Sequence, residues 1–229
     1  MLICHRHRFI FLKTQKTAGT AVEIALRAVM HAHDVITPIS SADERISRQL
    51  GRLGPRHFRA PLRDYGRHDL LRLITRGKLK KRFYNHIPAA DVKAQLADDV
   101  WQNYLKISVE RNPFDKAISS YYWRTRKQRQ PLSIQDYLLN CPASEISSWP
   151  IYTIDNTPVV DLMLRQENLE SDLAAVAERL ALPTPLALPQ QRPKGQYRRD
   201  RRPWQEVLDG ACERRIRAVC AREIEAFHY

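Results

Sequence analysis

Apolar and polar positions alternate along this chain in a repeating order of strand, polar loop and helix. "FIFL" (Phe9–Leu12) is a short unbroken apolar run of β type. After a polar loop, Ala18–His31 carries Val22, Ala25, Leu26 and Val29 at helical spacing. The order returns further on. "YLKISVE" alternates as a strand does, and "NPFDKAISSYYWRTRKQ" opens on Asn-Pro and continues with helical spacing. Between these units "RFYNHI" reads as a brief extended segment that Pro88 interrupts, and "PAADVKAQLADDVW" as a helix with proline at its start. Later, Ser133 caps the helix "IQDYLLN", and "IYTID" and "VVDLMLRQ" read as extended segments around the turn "NTP". "ENLESDLAAVAERLAL" is an amphipathic helix, and "WQEVLDGACERRIRAVCAREIEAF" closes the chain as another. Strands alternating with helices predict an α/β fold, a central and mainly parallel sheet flanked by helices.

The 229 residues suit one domain spanning 1–229. Ser40–Arg82 is rich in Arg and His and reads as a basic insertion with one or two short helices joined by Gly-Pro turns. A proline-rich basic loop follows at about 183–203. No apolar run approaches the roughly 18 residues of a membrane span, and the start lacks the pattern of a leader, so the expected location is cytoplasmic. Cys4, Cys141, Cys212 and Cys220 are scattered without a CxxC pair, which suggests free thiols rather than a metal site. The net charge of +13 implies an anionic partner without choosing which.

The candidate chemistry lies in the two polar corners. In "KTQKTAGTAVE" the loop between strand and helix presents unpaired backbone N–H groups and the positive end of a helix dipole, so it suits an anion. Gly19 allows close backbone approach, Lys16 supplies an ammonium charge, and Thr17 and Thr20 supply hydroxyls. The spelling is not the GxxxxGK[ST] of nucleoside triphosphate loops. In "ISVERNPFDKAISSYYW", Arg111 stands where strand yields to helix and Ser119 lies about two turns on. A guanidinium fork suits a phosphate. Glu110, beside Arg111, could either orient that arginine or weaken the attraction for phosphate.

"KTQKTAGTAVE" resembles the 5′-phosphosulfate loop of the PAPS-dependent sulfotransferases, and "VERNPFDKAISSYY" resembles their 3′-phosphate motif. The branch most similar is that of the membrane-type and bacterial carbohydrate sulfotransferases, with further echoes in "RQENLESDL" and "REIEAFHY". The resemblance implies a P-loop-like domain that moves a sulfuryl group from PAPS to a hydroxyl, of a carbohydrate or glycoconjugate, and releases 3′,5′-ADP. It implies contact of Lys16 with the bridging oxygen and the 5′-phosphate, and a cradle formed by Thr17, Ala18, Gly19, Thr20 and Ala21. Arg111 and Ser119 match its 3′-phosphate pair, and Lys194 and Gly195 match a late loop near the cofactor. Ala21 departs from the usual Ser or Thr, which removes one hydroxyl. A sulfuryl group carries less charge than a terminal phosphoryl, so no metal is expected.

Transfer to a hydroxyl needs a base, and histidine is suited to that work. His86 ends a short extended segment just before a Pro-started helix, where the resembling enzymes carry theirs; Glu23 is the carboxylate alternative. The excess positive charge is consistent with an anionic acceptor. Two other readings compete: an ATP-dependent small-molecule kinase, and a basic nucleic-acid-binding protein, although no nucleic-acid signature is present.

Overall fold

The computed structural model describes residues 1–191 and 197–229. The strands are β1 (Leu2–Cys4), β2 (Phe9–Leu12), β3 (Val35–Ile36), β4 (Leu105–Glu110), β5 (Thr153–Ile154), β6 (Thr157–Pro158) and β7 (Leu162–Arg165). The helices are α1 (Gly19–Leu26), α2 (Ser41–Gln49), α3 (Arg67–Arg76), α4 (Ala89–Lys93), α5 (Asp98–Asn103) and α6 (Pro113–Thr125). They continue as α7 (Ile134–Asn140), α8 (Trp149–Tyr152), α9 (Leu169–Arg179), α10 (Trp204–Val207), α11 (Gly210–Val219) and α12 (Ala221–Phe227).

The protein is α/β, built on a mixed five-stranded sheet of order β3-β1-β2-β4-β7. β2 pairs parallel with β4, and β4 parallel with β7. β1 runs against both β2 and β3, so the sheet is parallel only across the three strands that carry the site. Hydrophobic residues on both faces explain the continuous apolar run of β2: a strand covered on both sides has no polar face. Phe9 and Phe11 pack with Ile107, Val109 and Leu164 beneath Val22, Ala25 and Leu26 of α1 and Leu173 and Val176 of α9. Ile10 and Leu12 face the other way, onto Ala89, Val92, Trp101, Trp149 and Tyr152 of α4, α5 and α8. A third apolar cluster joins Phe114 and Ala117 of α6 to Leu138 of α7 and Cys212 and Ile216 of α11, and this seats α6.

The expected elements are found with several breaks. α1 stops at Leu26 and tightens into a 3₁₀ turn at Arg27–Val29. "PAADVKAQLADDVW" is two helices, because Ala97 turns extended and Asp98 and Asp99 open a new first turn. The closing segment is three helices: Asp209 caps α11 with its own side chain, and Cys220 separates α11 from α12. "RFYNHI" forms no strand among the described residues; Lys81 just before it makes an isolated bridge with Arg59. The basic region at 40–82 holds α2 and α3, and of the basic loop, residues 192–196 lie outside the described residues, Lys194 and Gly195 among them. No described helix is long and apolar enough to cross a membrane.

Candidate active site

The carboxyl ends of β2, β4 and β7 open side by side into one cavity of about 1370 Å³. Ligands of open α/β sheets bind at such strand ends, because the turns into helices leave backbone N–H groups and small residues facing outward. Lys13–Lys16 and Ala18–Ala21 line it from the first corner, Arg111 from the second, and Gln166–Ser171 from the third. α6 contributes Ser119, Ser120, Trp123 and Arg124, and His86 closes another side.

The first corner is a loop of alternating hand. Lys16 and Ala18 have φ of 60° and 60°, and Thr17 between them is not among the positive-φ residues. Such alternation turns successive N–H groups toward one point, the geometry of an anion-binding nest. Non-glycine residues adopt positive φ at a cost, so the surrounding structure must hold them there. The clamp is visible. Thr14 Oγ1 donates to the Val109 carbonyl, and its oxygen accepts from Thr17 Oγ1 at 2.7 Å. The Gln15 N–H donates to Ser148 Oγ at 3.3 Å. Ser108 Oγ donates to the Leu12 carbonyl at 2.7 Å and ties β4 to β2 just below. Gly19 is closely packed: a Cβ there would lie 3.1 Å from Lys13 Cγ and 3.4 Å from the Thr14 carbonyl, so the lysine stem would have to give by a few tenths of an ångström.

Thr17 is therefore buried and locks the loop from inside, whereas Ala18, Gly19, Thr20 and Ala21 line the cavity. Lys16 lines it too, with Nζ 4.7 Å from the Trp123 ring centroid, a cation–π contact across the opening. Lys13 lines the cavity as well, but its Nζ is bound to Glu23 at 2.8 Å.

Glu23 is wholly buried and accepts from Lys13, from Arg27 at 2.8 Å and from the Met1 amine at 3.3 Å, whose own pKa burial brings down to about 5. Burial by itself raises the Glu23 pKa, but Lys13, the Met1 amine and Arg27 outweigh this and bring it down to about 2. It is a structural anion behind the loop, held away from any proton transfer.

The second corner begins at Arg111. Asn112 caps α6 by accepting from the Phe114 and Asp115 N–H groups, and Pro113 occupies the first turn, where its missing N–H costs nothing. Arg111 Nε is buried and has no hydrogen-bond partner among the described residues. Burial disfavours the guanidinium and lowers its pKa; Asp115 acts against this, and Arg198 adds to it. Arg111 is half-buried as a whole and lines the cavity, and a guanidinium at a strand end is suited to an anion.

The Glu110 alternatives are decided by its partners. Its carboxylate accepts from Lys116 Nζ at 2.7 Å, from Tyr152 Oη at 3.1 Å and from the backbone N–H of Arg111 at 2.9 Å. Glu110 is thus neutralised behind the sheet and fixes the backbone of Arg111. Ser119, two turns along α6, lines the same cavity as Arg111.

His86 also has positive φ, 61°, and its Nδ1 lies 2.9 Å from the Lys13 carbonyl. A carbonyl only accepts, so Nδ1 carries the proton, and whenever the ring is neutral Nε2 is its unprotonated nitrogen. This bond anchors the imidazole to the loop that bears Lys16. The remaining histidines do not line this cavity; His5, His33 and His57 line a separate one of about 410 Å³.

The third corner was readable as a strand and a helix but not as part of a site. The Asn112 N–H donates to Glu167 Oε1 at 2.9 Å, and Tyr229 Oη to Glu167 Oε2 at 3.4 Å, so this corner braces the second. Of "RQEN", Gln166, Glu167 and Asn168 line the cavity and offer acid and amide groups, whereas the Arg165 guanidinium lies over the Tyr229 ring instead. Trp123, Tyr197, Arg198 and Arg201 also reach the cavity. Arg198 Nη1 is paired with Asp115 at 2.5 Å. Among the described residues six Lys and Arg side chains and two Glu line the cavity, so its net character is cationic. Among the described residues no group of three or more His, Cys, Asp or Glu is placed to hold a metal ion.

No protein-family model and no solved structure matches the chain. It is 30% identical over 104 residues to an uncharacterized protein of Archaeoglobus fulgidus, an alignment covering 44% of this chain and 87% of that protein. The chain belongs to the family of that archaeal protein.

Proposed function

We propose that this protein is a PAPS-dependent sulfotransferase, moving a sulfuryl group to a hydroxyl of a carbohydrate or glycoconjugate. The observation that carries the reading is that Lys16, the 18–21 loop, Arg111, Ser119 and His86 line one cavity. Two anion corners on neighbouring parallel strands match a nucleotide with phosphates at two separate positions. PAPS supplies an activated sulfuryl group, whose sulfur bonds to the acceptor oxygen as its bond to the 5′-phosphate oxygen breaks, leaving 3′,5′-ADP. The protein's work is then to hold, orient and accept a proton.

The alternating loop and the start of α1 point N–H groups at the 5′ end, and Lys16 meets the charge that grows on the departing oxygen. Arg111 and Ser119 hold the 3′-phosphate. His86 Nε2 takes the acceptor's proton, with Nδ1 fixed on the Lys13 carbonyl so that the ring presents its basic nitrogen. The acceptor class rests on the sequence resemblance, and the cationic lining suits an acidic sugar.

The test pairs binding with turnover. Thermal shift with 3′,5′-ADP near 100 times its Kd should show about 2.7 kcal/mol of stabilisation. Labelled PAPS offered with a panel of glycans should yield labelled product. Stabilisation by ATP–Mg²⁺ but not by 3′,5′-ADP would overturn the reading in favour of a kinase.

A further inference from the structure

Helix α3 is at odds with how short helices are held. Its ten residues, Arg67–Arg76, include Leu70, Leu71, Leu73 and Ile74, and none of the ten is buried. A helix of this length is marginal alone in water and normally persists by burying an apolar face. Here that face looks outward: Leu70 is 44% exposed, Leu71 57% and Ile74 82%. At 100° per residue Leu70, Ile74 and Leu71 fall on one arc, and Arg72 and Arg76 on the opposite side. Leu62 and Leu79, before and after the helix, are also exposed, so five of the nine exposed large hydrophobics among the described residues lie within 62–79.

What fixes the helix is polar. Asp69 accepts from the Gly66 N–H at 3.2 Å and from Lys80 Nζ at 2.7 Å, and the Lys80 N–H donates to Tyr65 Oη at 2.8 Å. The clasp holds α3 in shape while its apolar arc stays in solvent.

The charge around the arc identifies what covers it. Residues 62–82 contain eight Lys and Arg against two Asp, a difference of six positive charges. Both acids are paired, Asp69 with Lys80 and Asp64 with Arg63. An apolar arc that meets Arg67 at its first turn and is backed by Arg72 and Arg76 on the opposite face is the composition of a helix that lies in the interface of an anionic bilayer, leucines toward the acyl chains and guanidiniums toward the headgroups and water. A second copy of this chain would bring the same positive charge to the contact, and a nucleic acid would leave Leu71 and Ile74 uncovered. We propose that α3 and its flanks are a peripheral docking surface for anionic lipid membranes. This inference does not depend on the reaction assigned to the cavity.

The test is co-sedimentation of the full chain with phosphatidylcholine vesicles, with and without phosphatidylglycerol. Binding to the anionic vesicles only is expected, weakened by salt. The double substitution Leu71→Glu, Ile74→Glu should lower the partition coefficient by about tenfold or more, and Arg72→Gln, Arg76→Gln by a similar factor. Because none of these side chains is buried, melting temperature and 3′,5′-ADP binding should be unchanged in both variants, which separates loss of docking from loss of fold. Failure of the parent chain to bind anionic vesicles would overturn the proposal. So would equal binding by Leu71→Glu, Ile74→Glu. Concentration-dependent self-association abolished by the same change would assign the face to a second copy instead, and a tight nucleic-acid complex insensitive to it would assign the charge to nucleic acid.

Discussion

Replacing Arg111 with methionine separates a phosphate-reading arginine from a structural one. The change keeps most of the side-chain length and removes the charge. In the folded protein Arg111 is half-buried, and its Nε is buried without a partner among the described residues. Part of the desolvation has therefore been met before any ligand arrives, and binding gains charge-assisted hydrogen bonds. Two such bonds to a phosphate, at about 1.5 kcal/mol or more each, amount to about 3 kcal/mol, or about two orders of magnitude in Kd. Arg111→Met should weaken 3′,5′-ADP by that factor and leave 5′-ADP, which lacks the 3′-phosphate, almost unaffected. Calorimetric titration of both nucleotides reads the difference directly. The same burial predicts that the ligand-free variant melts no lower than the parent, because a desolvated cation has been removed and the backbone N–H of residue 111 still bonds to Glu110. Equal losses for both nucleotides, or a ligand-free variant that unfolds, would refute the argument.

The other predictions concern the loop, the base and the buried anion. His86→Asn retains a residue type tolerant of positive φ and an amide able to reach the Lys13 carbonyl, but no base; kcat should fall by about 10²–10⁴, with 3′,5′-ADP affinity unchanged. Gly19→Ala must displace Lys13 Cγ from 3.1 Å, so it should cost about 1–3 kcal/mol of stability by denaturant titration and weaken nucleotide binding. Glu23→Gln removes the buried anion shared by Lys13 and Arg27, and because Arg27 keeps Glu44 at 2.9 Å the cost should be about 3 kcal/mol, the low end for breaking a buried pair. The parent's acid limit follows from the same group. With its pKa brought from 4.5 in an ordinary glutamate to about 2, Glu23 contributes its full stability above pH 4.5 and loses it as the pH falls toward 2. Glu23→Gln should flatten the stability profile in that window.

Much of the site could be read from the chain because it lies where local patterns change. Strand-to-helix transitions at Leu12–Gly19 and Glu110–Pro113 carry their chemistry within a few residues, so the ligand groups and the elements that place them are contiguous. His86, at a turn before Pro88, also lines the cavity. What stayed hidden depends on contacts distant in sequence. Thr17 looks like a cradle hydroxyl, but its oxygen is engaged with Thr14, which is itself tied to β4 about ninety residues on. The residues of the third corner that line the cavity, Gln166–Ser171, are not cations, and the corner acts by bracing Asn112 through Glu167. β1 was missed because "LIC" is short and followed by the charged turn "HRHR", and its pairing with β2 is what makes the sheet mixed. In α3 the amphipathic pattern was present in the sequence, yet only the structure shows the apolar side facing outward.

The most direct measurement is a crystal structure with 3′,5′-ADP bound. The account predicts one nucleotide spanning the cavity, its 5′-phosphate on the N–H groups of the 16–20 loop beside Lys16 and its 3′-phosphate on Arg111 and Ser119. A nucleotide bound elsewhere, or one whose phosphates leave either corner untouched, would contradict it.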